Sequence, residues 1–314
     1  MAVEDRAKVI ADLCAGKVLN ASAVAKDADG AWGDALSEVV VQTQTLIDDT
    51  VRLAKFATVV DVQAVYADWK QASGRYIYED HRAAPPWENA LLAFENEHGN
   101  VYVIHLSSYE TSELGRLSGH EFWETDAESH VIEWNRVRWI HHALLYMGGH
   151  AGRTTGRGRV IDTVGPLHMW RIAVYPDGEM ADVRWLDINP DLDRKMFDTG
   201  MMVLLQTLNL CNCTNVAVAE PDRPRAERRR LARHGVTVNE IHIRPIGRSY
   251  RGKGVPLSEG APLASVRGHF NEYGPKYGKG LLFGKYEGRF WIPQHLRGSA
   301  EIGEAEHSYV VETE

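Results

Sequence analysis

Two histidines, His269 and His295, stand among cations in the stretch SVRGHFNEYGPKYGKGLLFGKYEGRFWIPQHLRGS, which runs from Ser265 to Ser299. With Arg267, Lys285, Arg289 and Arg297 around them, they have the makings of acid–base catalysis on RNA. One imidazole takes the proton of a 2'-hydroxyl, the other protonates the leaving oxygen, and the cations stabilise charge developing on phosphorus. That chemistry needs no metal. A histidine in a small basic sheet equally serves as a hydrogen-bonded structural residue, and the sequence leaves both roles open.

The same stretch has the composition of a nucleic-acid surface. Phe270, Tyr273, Tyr277, Phe283, Tyr286, Phe290 and Trp291 alternate with cations that include Lys276 and Lys279. Aromatic faces stack bases while the cations hold phosphates. Neighbours along a strand point to opposite sides, so half of these rings belong to a core; Phe283 and Trp291 are expected inside, Tyr273 and Tyr277 outside. A second basic feature lies upstream, where six arginines fall between Arg223 and Arg233. Four-residue spacing places Arg225, Arg229 and Arg233 on one helix face with Arg230 beside it. Guanidinium groups fork onto phosphate, so this face is either a phosphate contact or a solvated surface with Glu227 as local partner.

Other chemistry is poorly supplied. Cys14, Cys211 and Cys213 are the only cysteines. Cys211-Asn-Cys213 has no second pair with which to close a metal site and is expected as two small apolar residues at the end of a buried helix. Nucleophile-elbow, zinc-protease, phosphate-loop and dinucleotide fingerprints are all missing. No metal or cofactor is expected.

What must position these groups is a mixed α+β frame in three parts. Residues 1–84 read as helical: Leu36, Val40, Val41, Leu46, Val51 and Leu53 recur at helical intervals, followed by Val62, Val65, Tyr66 and Trp69. The prolines of RAAPPWENA end that pattern, and residues 85–204 turn to short apolar or alternating runs expected as a mainly antiparallel sheet. Tyr175-Pro-Asp-Gly178 supplies the turn of a hairpin over 170–188. The stretch 148–160 is expected as a mobile loop whose three arginines either touch a ligand or are solvated. After Asn189-Pro190, DLDRKMFDTGMMVLLQTLNLCNC predicts a helix buried against the sheet, with Asp191 or Asp193 as its cap. Residues 205–314 hold the arginine helix from about Pro224 to a stop at Gly235, a strand in TVNEIHIRPI, a small basic β module and an acidic tail.

The chain has 314 residues and a net charge of −8, with 44% apolar and 25% charged residues, a globular composition. Its length predicts two cooperating units or one elaborated domain. Charge is unevenly spread: 19 Lys and Arg face 31 Asp and Glu over residues 1–204, against 16 and 7 over residues 205–298. The partner question therefore belongs to the C-terminal third, where a basic segment points to nucleic acid. No apolar run is long enough for a membrane span and the N-terminus lacks a signal-peptide core, so a soluble, cytoplasmic protein is expected.

Beyond these physical readings, VRGHFNEYG…LLFGKYEGRFWIPQHLRG resembles the C-terminal motif of a family of bacteriophage proteins, including those of actinobacteriophages. More distantly the chain is similar to the type V-A anti-CRISPR family that lowers Cas effector levels through the effector's nascent N-terminal peptide and loss of its mRNA. The shared residues are Arg267, Gly268, His269, Phe270, Trp291 and Pro293, together with LNLCNCTNVAVAEPD, where a helix end precedes Glu220-Pro221-Asp222. The insertion GPKYGKGLLFGKYEGR departs from the second family. The resemblance implies a phage protein that reduces expression of a host protein, with target choice in the variable N-terminal part and RNA or ribosome contact in the basic part. It also implies a peptide groove, for which Trp87, Trp123 and Trp139 are aromatic candidates.

Three functions stay open at this point. They are a regulator that holds a nascent host peptide and engages RNA or the ribosome, a metal-independent ribonuclease using His269 and His295, and a structural phage protein with no nucleic-acid role.

Overall fold

A computed structural model describes residues 3–18, 35–71, 82–111, 136–148, 164–187, 194–243, 262–266, 269–282, 284–292, 295–297 and 299–304. The protein is α+β. Two compact units divide it: residues 1–212 with 218–242, and residues 213–217 with 243–314. The arginine helix thus belongs to the first unit, whereas composition groups it with the basic C-terminal part.

The first unit is built on an eight-stranded sheet. Its helices are α1 (Val3–Cys14), α2 (Ala35–Leu53), α3 (Gln63–Gln71), α4 (Arg194–Cys211) and α5 (Arg225–Ala232). The strands of that sheet are β1 (Thr58–Asp61), β2 (Asn89–Glu95), β3 (Val101–Glu110), β4 (Trp139–Gly148), β5 (Gly165–Val174), β6 (Met180–Asp187), β7 (Val216–Ala219) and β8 (Val238–Ile243), with residues 216–217 and 243 counted in the second unit. The order across the sheet is β6-β5-β4-β3-β2-β1-β8-β7. From β2 to β6 the strands form an antiparallel meander, as the short apolar and alternating runs predict. Tyr175 and Glu179 close the β5–β6 hairpin, with Gly178 at φ +88° supplying the left-handed turn residue.

β1 is a difference from the sequence expectation. It lies inside the stretch read as helical and pairs in parallel with both β2 and β8. Val59, Val60, Val62 and Val65 satisfy a helical spacing as well as a strand, and a four-residue run cannot separate the two by periodicity. The buried Arg6 of α1 fixes the junction after β1. Its Nη2 donates to Asp61 at 2.6 Å, and its Nη1 donates to Gln63 at 3.3 Å.

Both sheet faces are covered. One face carries Leu91, Ala93, Val103, Leu144, Tyr146 and Met169, packed with Ile10 and Leu13 of α1, Ile47 of α2 and Leu231 of α5. The other takes Tyr66 of α3, stacked on Phe94 at 5.2 Å, and the apolar helix α4. Gly200 permits that approach: a Cβ there would lie 2.8 Å from the Trp170 ring and 3.0 Å from Leu145. This is why a strand buried on both sides, such as β5, reads as a mostly apolar run, broken by the buried His168 and Arg171.

In the second unit, β10 (His269–Tyr273) pairs antiparallel with β11 (Gly288–Ile292), while β9 (Pro262–Val266) lies between β12 (His295–Arg297) and β13 (Ser299–Glu304). Residues 213–217 run along β11. Thr214 donates its N–H to the Arg289 carbonyl, and the Asn215 side-chain amide both donates to and accepts from the Trp291 backbone, at 2.8 and 3.0 Å.

Candidate peptide groove and basic faces

At one end of the large sheet, the C-terminus of α2, the start of β2 and the end of β3 open a groove of about 650 Å3. Trp87, Tyr109 and Trp139 line it with Pro85 and Pro86, and Arg52, Glu88 and Glu110 bring charge to it. The segment carrying the prolines and Trp87 is held by a hydrogen-bonded clamp. Asn212, just past α4, donates its amide to the carbonyls of Arg82, Ala84 and Leu208 at 3.3, 3.0 and 2.8 Å. Arg82 N–H donates to Asn209 at 3.2 Å, and Ala83 N–H donates to the Gly178 carbonyl at 2.7 Å. Two prolines cannot donate to a ladder, so side chains from α4 do the anchoring.

His141 completes the clamp. Its Nε2–H donates to the Ala83 carbonyl at 2.6 Å, which leaves Nδ1 as an acceptor for the Ser108 hydroxyl at 2.8 Å. Ser108 itself lines the groove. Burial pushes the His141 ring down to about 4, despite the Ala83 contact that favours its charge, so near neutral pH it is an uncharged bracket. His105, on the opposite sheet face, is likewise pushed down to about 4 by burial. Thr50 donates its hydroxyl to the Leu46 carbonyl and receives Nδ1–H from His105 at 2.9 Å. Asn89, another groove residue, accepts the Ser107 hydroxyl at 3.0 Å.

Of the three tryptophans named from sequence, Trp87 and Trp139 meet in this groove, and Trp123 lies outside the described residues. Pro85 and Pro86 are legible only as a helix stop. Ser108, His141 and Asn212 were missed, because single polar residues within apolar runs carry no local signal of the partners that the fold brings to them.

The arginine face is where its spacing puts it. α5 runs from Arg225 to Ala232, and Arg225, Arg228, Arg229, Arg230 and Arg233 are all exposed around it. Arg223 is different: it is buried and forms ion pairs with Glu227 and Glu240.

In the second unit the residues predicted to contact nucleic acid separate into two kinds. Phe270 lies directly across from Trp291, ring centroids 4.6 Å apart, and Glu272 across from Arg289. Arg289 is therefore taken up by the fold. It is buried, donates to Glu272 at 2.7 Å and stacks over Phe270 at 4.7 Å. On the other face Phe290 is buried against Tyr273. Trp291 is core, as expected, and so is its neighbour Phe290, because both faces of this hairpin are covered. The exposed cations stand on the turns. Lys276 lies 4.5 Å over the Tyr277 ring and Lys285 lies 5.1 Å over Tyr286, while Lys279 donates to Asn271, whose amide donates to Tyr273. Tyr273 and Tyr277 are half-buried.

His269 is exposed on β10, and His295 is on β12 in a different sheet, so backbone pairing does not bring the proposed acid–base pair together. The side chains of His295 and Arg297, and the residues Arg267, Phe283 and 149–160, lie outside what is described. Cys213 is buried, and burial pushes its thiol up to about 12 against the opposing pull of Arg289. Among the described residues, no group of three or more His, Cys, Asp or Glu side chains is placed to hold a metal ion, and no helix is long and apolar enough to cross a membrane. No family model, curated protein or solved structure matches the chain.

Proposed function

We propose that the protein is a peptide-binding regulator that lowers expression of a host protein, holding a nascent segment in the groove of the first unit and engaging mRNA or the ribosome through its basic faces. The observation that carries this reading is the groove: Trp87, Tyr109 and Trp139 line one concave surface, one wall of which is anchored by Asn212 and His141. Rigid aromatic rings give large contact area at little entropic cost, which suits capture of an extended segment. The exposed arginines of α5 and the Lys276–Tyr277 and Lys285–Tyr286 pairs supply phosphate contacts and stacking surfaces. The likeness to bacteriophage proteins and to the type V-A anti-CRISPR family supports the same division of labour.

Expression of the full chain in a bacterial host, with proteins and transcripts surveyed together, tests this function. A small set of proteins is expected to fall along with their mRNAs, and the doubly substituted Trp87→Ala/Trp139→Ala chain is expected to spare them. A general decline that the groove substitutions do not alter would overturn it.

A further inference from the structure

We infer that the groove selects a segment bearing a lysine or arginine, whose cation enters against Trp87 and Trp139 toward the carboxylates of Glu88 and Glu110. The inference rests on the peptide-binding assignment above and adds the chemistry of the occupant. Charge pairing points to the sign. Arg52 donates to Asp49 at 2.8 Å, and Arg138 at the rim lies 3.5 Å from Glu110, so each cation already has a carboxylate. Glu88 is exposed and has no side-chain partner among the described residues. The uncompensated charge of the groove is therefore negative.

Arg138 also shows what the rings accept. Its guanidinium lies 4.5 Å over the Trp139 ring while pairing with Glu110, the combination of aromatic face and carboxylate that favours a cation. Half of each side chain of that ion pair remains exposed, 52% for Arg138 and 53% for Glu110. An exposed pair of this kind is worth little and yields readily to a competing cation. The chain's own arginine thus occupies a place that an incoming lysine or arginine would take. A second contact is available nearby: Phe56, 81% exposed, lies two residues before Thr58, which pairs with Ala90 just after groove residues Glu88 and Asn89. An apolar residue flanking the cation would rest there.

The test uses the full chain and four heptapeptide pools, fixed at the centre as lysine, arginine, norleucine or glutamate, with uncharged residues randomised elsewhere. Binding is read by tryptophan fluorescence and by anisotropy of labelled pools. The lysine and arginine pools are expected to bind at least about tenfold tighter than the norleucine and glutamate pools, a difference of about 1.4 kcal/mol. Glu88→Gln is expected to remove most of that preference. Arg138→Gln, which vacates Trp139, is expected to tighten the cationic pools several-fold, an effect that a purely structural Arg138 would not produce. Equal binding of all four pools would overturn the cation preference and leave peptide binding standing. Absence of binding by every pool, with the fold intact by circular dichroism, would overturn both.

Discussion

The groove of the first unit and the glycine turns of the second end with opposite residual charge, and internal pairing sets the sign in each. Around the groove the cations Arg52 and Arg138 are matched by Asp49 and Glu110, so Glu88 is left over. In the second unit the buried Arg289 consumes Glu272, and Lys276 and Lys285 are left standing over tyrosine rings. Composition predicts an acidic front and a basic back, but the charge available to a partner is what remains after the fold has paired its own. The two regions also differ in what holds them. A neutral buried histidine, His141, brackets the groove, whereas the buried Arg289, paired with the part-exposed Glu272, holds the hairpin of the second unit.

Acid separates those two devices with the largest expected effect. His105 and His141 have folded values near 4 against an ordinary 6.5, because burial penalises the imidazolium. The unfolded chain then binds protons between those values that the folded chain does not. Stability is complete above about pH 6.5 and is lost as pH falls toward 4, by about 3 kcal/mol for each ring. Hydrogen exchange at pH 7.5 and 4.5 is expected to show opening of β3 and β4, with β10 and β11 less affected. His141→Gln should flatten part of the dependence.

The converse substitution is Arg289→Ala, which removes the guanidinium that pairs with Glu272. It is expected to cost the second unit about 3 kcal/mol, seen as faster exchange along β11, and to leave the groove strands unchanged. Lys276→Ala should leave stability essentially unchanged, since its cation is exposed. Equal costs would erase the distinction between the two kinds of cation.

Asn212→Ala removes two side-chain bonds to the proline-bearing segment and one to Leu208 of α4 and is expected to cost about 2 kcal/mol, with weaker peptide binding as its diagnostic companion. The smallest effect concerns RNA. Replacing Lys276 or Lys285 by alanine is expected to lower the salt slope of RNA binding by about one for each phosphate that the lysine neutralises. An unchanged slope would exclude the glycine turns as the RNA face.

How much of this is legible from sequence depends on the range of the signal. The meander from β2 to β6 follows from alternation and from Tyr-Pro-Asp-Gly, and α4 from its apolar length, because these are local patterns. β1 is hidden, since its four residues fit a helix and its partners β2 and β8 lie far away along the chain. Arg289 looks like Lys285 in sequence, and only the register that sets it opposite Glu272 distinguishes them. The groove is half legible: Trp87 and Trp139 are recognisable as candidates, but Tyr109, Ser108 and the Asn212 anchor are assembled by strand pairing and by a helix more than 100 residues away.

The most direct test of the central claim is peptide capture by purified full chain from an array of bacterial protein N-terminal segments, compared with Trp87→Ala/Trp139→Ala. The account predicts a limited set of retained peptides whose affinity falls at least about tenfold in the variant while its circular dichroism is unchanged. Retention of the same peptides with undiminished affinity would place binding elsewhere and contradict the groove.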